Sequence, residues 1–299
     1  MEADPIAAVV LPIALGVIMF GLGLGLTVDD FRRVIRFPKA VAVALLCQTI
    51  LLPAACLGIA HAFALRPELA VGLMLLAASP GGPTANLYSH LARGDVALNI
   101  TLTAVNAVLS LVTLPLILGF ALQHFLEKDQ TIPLQLSKVI SVIALVIAPV
   151  AIGMFVRARW PERADRFDRP VRIASTTFLV LAVAAAVLGQ RENILSYAKQ
   201  VGLAALAFNL VSLSVGYLVP RLLRIERRQA IAIGMEIGIH NAVLAIAIAL
   251  NVLNNQPMSI PPAVYTIISL FTAAAFGFIV SRRRDRTAVE LQAPSPGNG

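Results

Sequence analysis

The sequence predicts an all-α polytopic membrane protein with nine transmembrane helices. Hydrophobic residues make up 58% of the 299 positions and charged residues only 13%, which is far from the composition of a soluble globular domain. Apolar runs long enough to cross a bilayer recur along most of the chain. The predicted spans cover residues 6–26, 40–64, 69–91, 96–123, 138–156, 171–189, 201–220, 229–252 and 261–281.

The distribution of basic residues supports this count and orients the chain. Nine spans divide the connections into two alternating sets, which carry 19 and 5 of the 24 Lys and Arg residues. Because cytoplasmic loops are enriched in Lys and Arg, the amino terminus is predicted outside the inner (plasma) membrane and the carboxyl terminus in the cytoplasm. This asymmetry also accounts for the net charge of +8, so nucleic-acid binding is not expected.

The third predicted span contains the run Pro80-Gly81-Gly82-Pro83, which a continuous helix does not accommodate. Each proline lacks an N–H donor, and the residue before a proline is disfavoured in the helical conformation. Residues 69–91 nevertheless have the length of a single crossing, so we predict two half-helices. The second half-helix would begin near Thr84 and present free N–H groups and a positive dipole end to an anion.

The eighth predicted span, which includes "GMEIGIHNAVLAIAIAL", places Glu236, His240 and Asn241 inside an apolar run. A carboxylate at bilayer depth costs roughly 2.5–3.5 kcal/mol on the insertion scale, so a functional role is predicted for Glu236. Gly234 and Gly238 indicate a second, weaker interruption of a helix at this point.

Two interrupted helices five spans apart are typical of an inverted-repeat transporter that binds its substrate near the bilayer midplane. On this interpretation, spans two to four repeat upside down as spans seven to nine, and span one repeats as span six. The predicted first repeat covers 1–123 with four spans, and the second covers 124–284 with five. A disordered cytoplasmic tail is predicted at 285–299. Spans five and six are nearly free of polar side chains and are expected to face lipid.

The polar side chains of the other spans offer mainly oxygen atoms. Hard cations favour oxygen ligands, and a bound sodium ion would neutralise Glu236 in an apolar setting. Together with an anion at the half-helix N-termini, this describes cation-coupled uptake of an organic anion. A protonated Glu236, or a pair with His240 one helical turn further on, is the structural alternative.

The chain has no zinc-hydrolase spacing, nucleophile elbow, P-loop or dinucleotide motif, so no enzyme is predicted.

Three motifs resemble the bile acid:sodium symporter family over nearly the whole chain. They are "GLGLGLTVDDFRRVIRFPK", "LLAASPGGPTANLYSHLARGDVALNITLT" and "GMEIGIHNAVLAIAIA". The resemblance is to the nine-span type of this family. It implies a core domain and a panel domain, with two discontinuous helices that cross in the core.

Carried over by position, the resemblance implies two sodium sites and a substrate-facing region. The first sodium site would use Asn86, Asn99, Thr103 and Glu236. The second would use Gln48, Glu236 and His240, and the substrate would face Gly82, Thr84 and Asn241. Ala85 stands where the family usually has a Ser ligand. His240 stands where the family commonly has Gln, and its imidazole offers only nitrogen, so one or two sodium ions are expected.

The function predicted from the residues and the resemblance is that of a sodium-coupled symporter. It would import an organic anion, a carboxylate such as a bile acid, pantoate or another small carboxylate, by alternating access. The expected partners are this anion, sodium and the lipid bilayer, and no obligatory protein partner is implied. Two alternatives remain open: a proton-coupled transporter in which Glu236 and His240 titrate as a pair, and a receptor or channel that does not carry out coupled transport.

Overall fold

The computed structural model describes residues 23–82, 84–126, 136–167 and 194–292, together with single positions within 16–21 and 170–177. These residues form helices, and apart from one isolated β-bridge no extended pairing occurs among them. The predicted all-α class is therefore confirmed.

Eleven α-helices carry the argument that follows. They are α1 (Val28–Arg32), α2 (Pro38–Leu46), α3 (Leu52–Ala62), α4 (Pro67–Ala78), α5 (Thr84–Leu91), α6 (Val96–Leu126), α7 (Leu136–Arg159), α8 (Ile194–Leu222), α9 (Arg227–Gly238), α10 (Ala242–Asn251) and α11 (Ile260–Gln292). A 3₁₀ turn, Arg33–Arg36, follows α1, and another, Pro257–Ser259, precedes α11. The π-helical turn Cys47–Leu51 joins α2 to α3.

Four of the helical segments are long and apolar enough to cross a membrane. They are Pro38–Ala62, Val96–Leu126, Lys199–Leu222 and Pro257–Ser281, which coincide with predicted spans two, four, seven and nine. Helix α7 covers predicted span five, and the pairs α4–α5 and α9–α10 cover predicted spans three and eight. Predicted spans one and six lie largely outside the described residues. Helix α11 continues to Gln292, into the region predicted as a tail, and residues 293–299 lie outside the described residues.

The same local geometry occurs twice in the chain. Helices α4 and α9 each have 12 residues, and α9 begins 160 positions after α4. Each follows a turn with one residue in the left-handed region, Ala64 (φ 47°) before α4 and Arg224 (φ 59°) before α9. In both turns the next residue donates its N–H back to a helix carbonyl. The bonds are Leu65 to Ala60 at 3.0 Å and Ile225 to Pro220 at 2.9 Å, the pattern of a Schellman helix end.

Glycines allow the helices to approach one another closely. A Cβ atom on Gly216 of α8 would lie 2.8 Å from the Cα atom of Gly234 in α9. A Cβ atom on Gly72 of α4 would lie 2.3 Å from the carbonyl oxygen of Met258 in the 3₁₀ turn before α11. Small residues at helix contacts are typical of membrane proteins, because lipid-exposed helices associate mainly through close packing.

We expect Gly72→Ala to destabilise the protein, because the added methyl group meets backbone that has no room to move. Overpacking of this kind typically costs about 1–3 kcal/mol. The matched control is Gly58→Ala in α3, where a Cβ atom has no neighbour within 4 Å. Thermal unfolding of the purified proteins in detergent measures the effect. Equal melting temperatures for the two variants would contradict the close contact.

Candidate functional site

The two interruptions of the membrane helices lie against each other. The first, after Ala78, separates α4 from α5, and the second, after Gly238, separates α9 from α10. Both were predicted from the sequence, although Pro83 of the first interruption lies outside the described residues. An antiparallel β-bridge between Gly81 and His240 joins them. We refer to this contact between Ser79–Gly82 and Ile239–Asn241 as the crossover.

Backbone hydrogen bonds across the crossover replace those that the helix interruptions remove. The N–H of Gly82 donates to the carbonyl oxygen of Ile239 at 2.5 Å, and the N–H of Asn241 donates to that of Pro80 at 2.8 Å. A buried backbone group without a partner costs free energy comparable to a lost hydrogen bond, and more at membrane depth. The two interrupted segments therefore stabilise each other.

Side chains from neighbouring elements bind further carbonyl groups at the ends of α4 and α9. The Gln48 Nε2 atom donates to the carbonyl oxygens of Ala77 at 3.2 Å and Ser79 at 2.9 Å. Gln48 lies in the π-helical turn, a distortion that is frequent at functional sites. At the second interruption, the Gly238 carbonyl oxygen accepts from Asn209 Nδ2 and from the Tyr265 hydroxyl group, each at 2.9 Å.

Asn209 and Tyr265 were not among the residues predicted for the site. In the sequence, Asn209 could have been recognised by its position inside an otherwise apolar run. Tyr265 could have been recognised only by its hydroxyl group. Asn209 also accepts a hydrogen bond from Thr272 of α11, from Oγ1 to Oδ1 at 2.5 Å. Helices α8 and α11 thus hold the second interruption, as Gln48 holds the first.

The Glu236 carboxylate is fully buried beside the crossover and is bound by one face of α6. Its Oε2 atom accepts from Asn99 Nδ2 and from Thr103 Oγ1, each at 2.7 Å, and its Oε1 atom accepts from Asn106 Nδ2 at 3.4 Å. The three donors recur at helical spacing along α6, so one side of that helix faces the carboxylate. The structure brings together the predicted residues Asn99, Thr103 and Glu236, and it adds Asn106.

None of the ion pairs among the described residues involves Glu236. Three side-chain carbonyl oxygens on the elements around the crossover are buried and have no hydrogen-bond partner there. They are Gln48 Oε1, Asn86 Oδ1 and Asn99 Oδ1. Because buried polar atoms are almost always hydrogen-bonded, these three oxygens are available to accept from water or to bind a ligand. A buried carboxylate beside the crossover, with unpartnered carbonyl oxygens on the elements next to it, suits a hard cation.

The position of His240 differs from the expectation drawn from the sequence. Helix α9 ends at Gly238, and Ile239 has φ −122° and ψ 85°, so His240 does not continue the helical face of Glu236. Its ring instead stacks on Phe208, with centroids 5.3 Å apart, and meets the edge of Tyr265 at 5.6 Å. The structural alternative of a helical pair one turn apart was wrong, because α9 ends between Glu236 and His240.

The His240 ring nitrogens face different surroundings. Nδ1 lies 3.3 Å from the carbonyl oxygen of Ser79, and Nε2 has no hydrogen-bond partner among the described residues. His240 is therefore part of the crossover, where it contacts the first interrupted segment and the rings of Phe208 and Tyr265.

The three residues predicted to face the substrate lie at or next to the crossover. Thr84 is exposed and begins α5, and Gly82 precedes it. Asn241 caps α10, with its Oδ1 atom accepting from the Leu244 N–H at 3.0 Å. Next to the crossover is a mostly apolar cleft of about 240 Å³, whose lining includes Pro80, Asn241, Ala107, Leu111, Val150 and Met154. The cleft therefore joins the crossover to α6 and α7.

Interrupted helices that cross at a buried, unpaired carboxylate define the class of the protein as a membrane transporter. The profile of the Sodium Bile acid symporter family matches residues 12–197 of the chain. The chain belongs to this family, which confirms the resemblance drawn from the motifs and places it among transporters rather than enzymes.

Curated relatives extend the match along the chain. An uncharacterized sodium-dependent transporter of Bacillus subtilis is 29% identical over 85% of this chain and 78% of its own length. The ileal sodium/bile acid cotransporter of Homo sapiens is 27% identical over 93% of this chain and 81% of its own length. The sodium-dependent organic anion transporter of Bos taurus is 28% identical over 80% of this chain and 63% of its own length.

Because Gly81 has no side chain, the Glu236 carboxylate has space to lie against it. A Cβ atom at position 81 would lie 2.2 Å from Oε1 and 2.6 Å from Oε2. We expect Gly81→Ala to displace the carboxylate from Asn99 and Thr103 and to destabilise the protein by about 1–3 kcal/mol. Stabilisation by sodium, measured as the difference in melting temperature between sodium and potassium chloride, should also disappear.

The control for this variant is Gly202→Ala in α8, where a Cβ atom has no neighbour within 4 Å. It should melt like the wild type in both salts. A sodium-dependent shift of wild-type size in Gly81→Ala would mean that the carboxylate is not part of a cation site.

Proposed function

We propose that the protein is a sodium-coupled symporter that imports an organic anion, a carboxylate, by alternating access. The observation that carries this proposal is the buried Glu236 carboxylate, which has no basic partner among the described residues and lies beside a crossover whose neighbouring elements carry unpartnered carbonyl oxygens. A sodium ion would supply the missing positive charge and use those oxygens as ligands. The sodium-dependent relatives support sodium as the coupling ion.

The first set of ligands in the proposed cation site comes from α5, α6 and α9, and the second adds the π-helical turn and the crossover. Asn86, Asn99, Thr103 and Glu236 form the first set of ligands, and Gln48 with His240 extends it to a second position beside Glu236. In the first set, Asn99 Oδ1 and Asn86 Oδ1 are the atoms without partners. In the second, Gln48 Oε1 is unpartnered, whereas His240 offers a nitrogen that sodium binds poorly. The proposed count is one or two sodium ions.

The anion is proposed to bind on the cleft side of the same crossover. Helix α5 begins at Thr84 and α10 at Ala242, directly after Asn241, so the positive ends of both helix dipoles lie beside the interruptions. A carboxylate near Gly82, Thr84 and Asn241 would face these ends, and the body of the substrate would occupy the mostly apolar cleft of about 240 Å³. The names of the human and bovine relatives support an organic anion as the substrate.

Coupling would follow from the shared crossover. Asn86 and Glu236 of the proposed sodium site lie on the same two interrupted helices as the anion-facing groups. The two interruptions are bonded to each other through Gly82–Ile239 and Asn241–Pro80. A sodium ion that neutralises Glu236 also orders the segment that presents Asn241. In this mechanism each ligand favours the arrangement that the other needs, as thermodynamic linkage requires.

The proposed alternating access relies on an inverted repeat and on a core that moves against a panel. The repeated geometry of the turns before α4 and α9, and the antiparallel bridge between the interruptions, support two related halves. The core would comprise predicted spans two to four and seven to nine. The cleft is lined by residues of α6 and α7, and in this proposal it would lie at the boundary between the core and the panel. The proposed location is the inner (plasma) membrane, with the amino terminus outside and the carboxyl terminus in the cytoplasm.

The decisive experiment is uptake of labelled carboxylates into proteoliposomes with sodium and proton gradients imposed separately. The substrates should include a bile acid, pantoate and several small monocarboxylates. Accumulation driven by a sodium gradient at equal pH on both sides is the expected result. Accumulation that follows the proton gradient and ignores sodium would replace this proposal with the proton-coupled alternative.

We expect Glu236→Gln to abolish sodium-driven uptake, because the amide keeps the shape of the side chain but cannot supply the negative charge for the cation. Sodium binding measured by calorimetry should weaken at least about tenfold, or roughly 1.4 kcal/mol. Glu226→Gln is the control, since Glu226 is exposed at the start of the same helix. If Glu236→Gln transports with wild-type sodium dependence, the assigned role of the carboxylate is incorrect.

We expect Gly82→Leu to weaken anion binding by at least about tenfold. Even a Cβ atom at this position would lie 3.0 Å from the His240 carbonyl oxygen and 3.2 Å from that of Ile239. A larger side chain must therefore extend into the proposed anion-binding region or push the two interrupted segments apart. The control is Gly58→Leu, an exposed position where a Cβ atom has no neighbour within 4 Å. Unchanged affinity of purified Gly82→Leu for a transported anion would place the substrate elsewhere.

A further inference from the structure

Two histidines far apart in the chain face each other at the ends of α3 and α6. His61 lies in the last turn of α3, and His124 lies in the last turn of α6. Their Nε2 atoms are 2.8 Å apart, and both side chains are exposed to solvent. Neither histidine is among the residues assigned to the sodium or substrate sites. We call it the histidine pair.

Aromatic side chains fix the orientation of both imidazole rings. The His124 ring stacks on Phe120, with centroids 5.4 Å apart and planes inclined by 19°. Phe125 contacts both histidines, at 4.9 Å from the His124 centroid and 5.3 Å from the His61 centroid. The two imidazole rings are nearly perpendicular, at 89°. The pair is therefore held in place by its surroundings and does not depend on its own hydrogen bond alone.

We propose that the histidine pair is a binding site for a divalent transition-metal ion, with Zn²⁺ as the best-suited ion, bound by Nε2 of His61 and Nε2 of His124. Imidazole nitrogen is a preferred ligand of zinc, copper and nickel. With Zn–N distances of about 2.0–2.1 Å and tetrahedral angles, two such nitrogens stand about 3.3 Å apart. The observed separation of 2.8 Å thus needs to open by only about half an ångström.

The rest of the coordination sphere would be water. No group of three or more His, Cys, Asp and Glu side chains occurs among the described residues, so within that part of the chain the pair supplies two protein ligands. A two-histidine site open to solvent binds its ion reversibly, unlike a closed structural zinc site with four protein ligands. The bound ion would join the end of α3, which follows the turn carrying Gln48, to the end of α6, which carries Asn99 and Thr103.

Calorimetric titration of Zn²⁺ into the purified full-length protein, produced without a polyhistidine tag, tests this inference. One zinc ion per chain is expected, with a rise in melting temperature. His61→Ala and His124→Ala should each weaken binding at least about tenfold, because the chelate is lost. The control is His90→Ala, which removes an exposed histidine from the last turn of α5 and should bind zinc like the wild type. Cu²⁺ and Ni²⁺ should compete with Zn²⁺, and Mg²⁺ should not.

The outcome does not depend on the proposed transport function. Zinc binding should persist in Glu236→Gln, which separates the histidine pair from the cation site at the crossover. Zinc affinity equal to the wild type in a variant lacking both His61 and His124 would overturn the inference. Failure of the wild type to bind zinc would overturn it as well.

Discussion

The hydrogen bonds between the two interrupted helices are the constraint on which the rest of the site depends. Where α4 and α9 end inside the protein, backbone groups lose their helical partners, and a bilayer interior offers no water to replace them. The bonds from Gly82 to Ile239 and from Asn241 to Pro80 supply those partners. Neither segment can leave the other without exposing unpaired backbone groups, so the four half-helices are tied together at one point.

The position of Glu236 follows from this constraint. The carboxylate lies in the last turn of α9, directly beside the crossover, and Gly81 leaves the space that it fills. Helix α6 runs alongside and provides Asn99, Thr103 and Asn106 as donors. These donors are neutral, so the negative charge is solvated by dipoles but not neutralised. In the proposed mechanism this remaining charge is what draws sodium to the segments that also receive the anion.

The sequence predicted best those features of the site that depend on the chemistry of single residues and their neighbours in the chain. Pro80 and the glycines beside it indicated the first interruption, and Glu236 in an apolar run indicated the second segment. Asn99 and Thr103 were also predicted, and they contact the carboxylate. The alternative in which Glu236 and His240 pair along a helix was wrong, because the i, i+4 rule holds only along an unbroken helix and α9 ends at Gly238. Asn209 and Tyr265 were missed because their role is to bind a carbonyl oxygen that only a helix interruption leaves free.

The sequence by itself determined the class of the protein, the four helices of the described chain that are long and apolar enough to cross a membrane, and the places where two further segments are interrupted. Hydropathy, proline chemistry and the cost of a buried carboxylate are properties of a residue and its immediate neighbours in the chain. Only the tertiary structure decided that the two interruptions bind each other, that one face of α6 holds Glu236, and that His61 meets His124. Those contacts join residues separated by 63 to more than 130 positions. They depend on how distant helices pack, because a freed backbone group or a buried side chain accepts whichever partner the packing brings within reach.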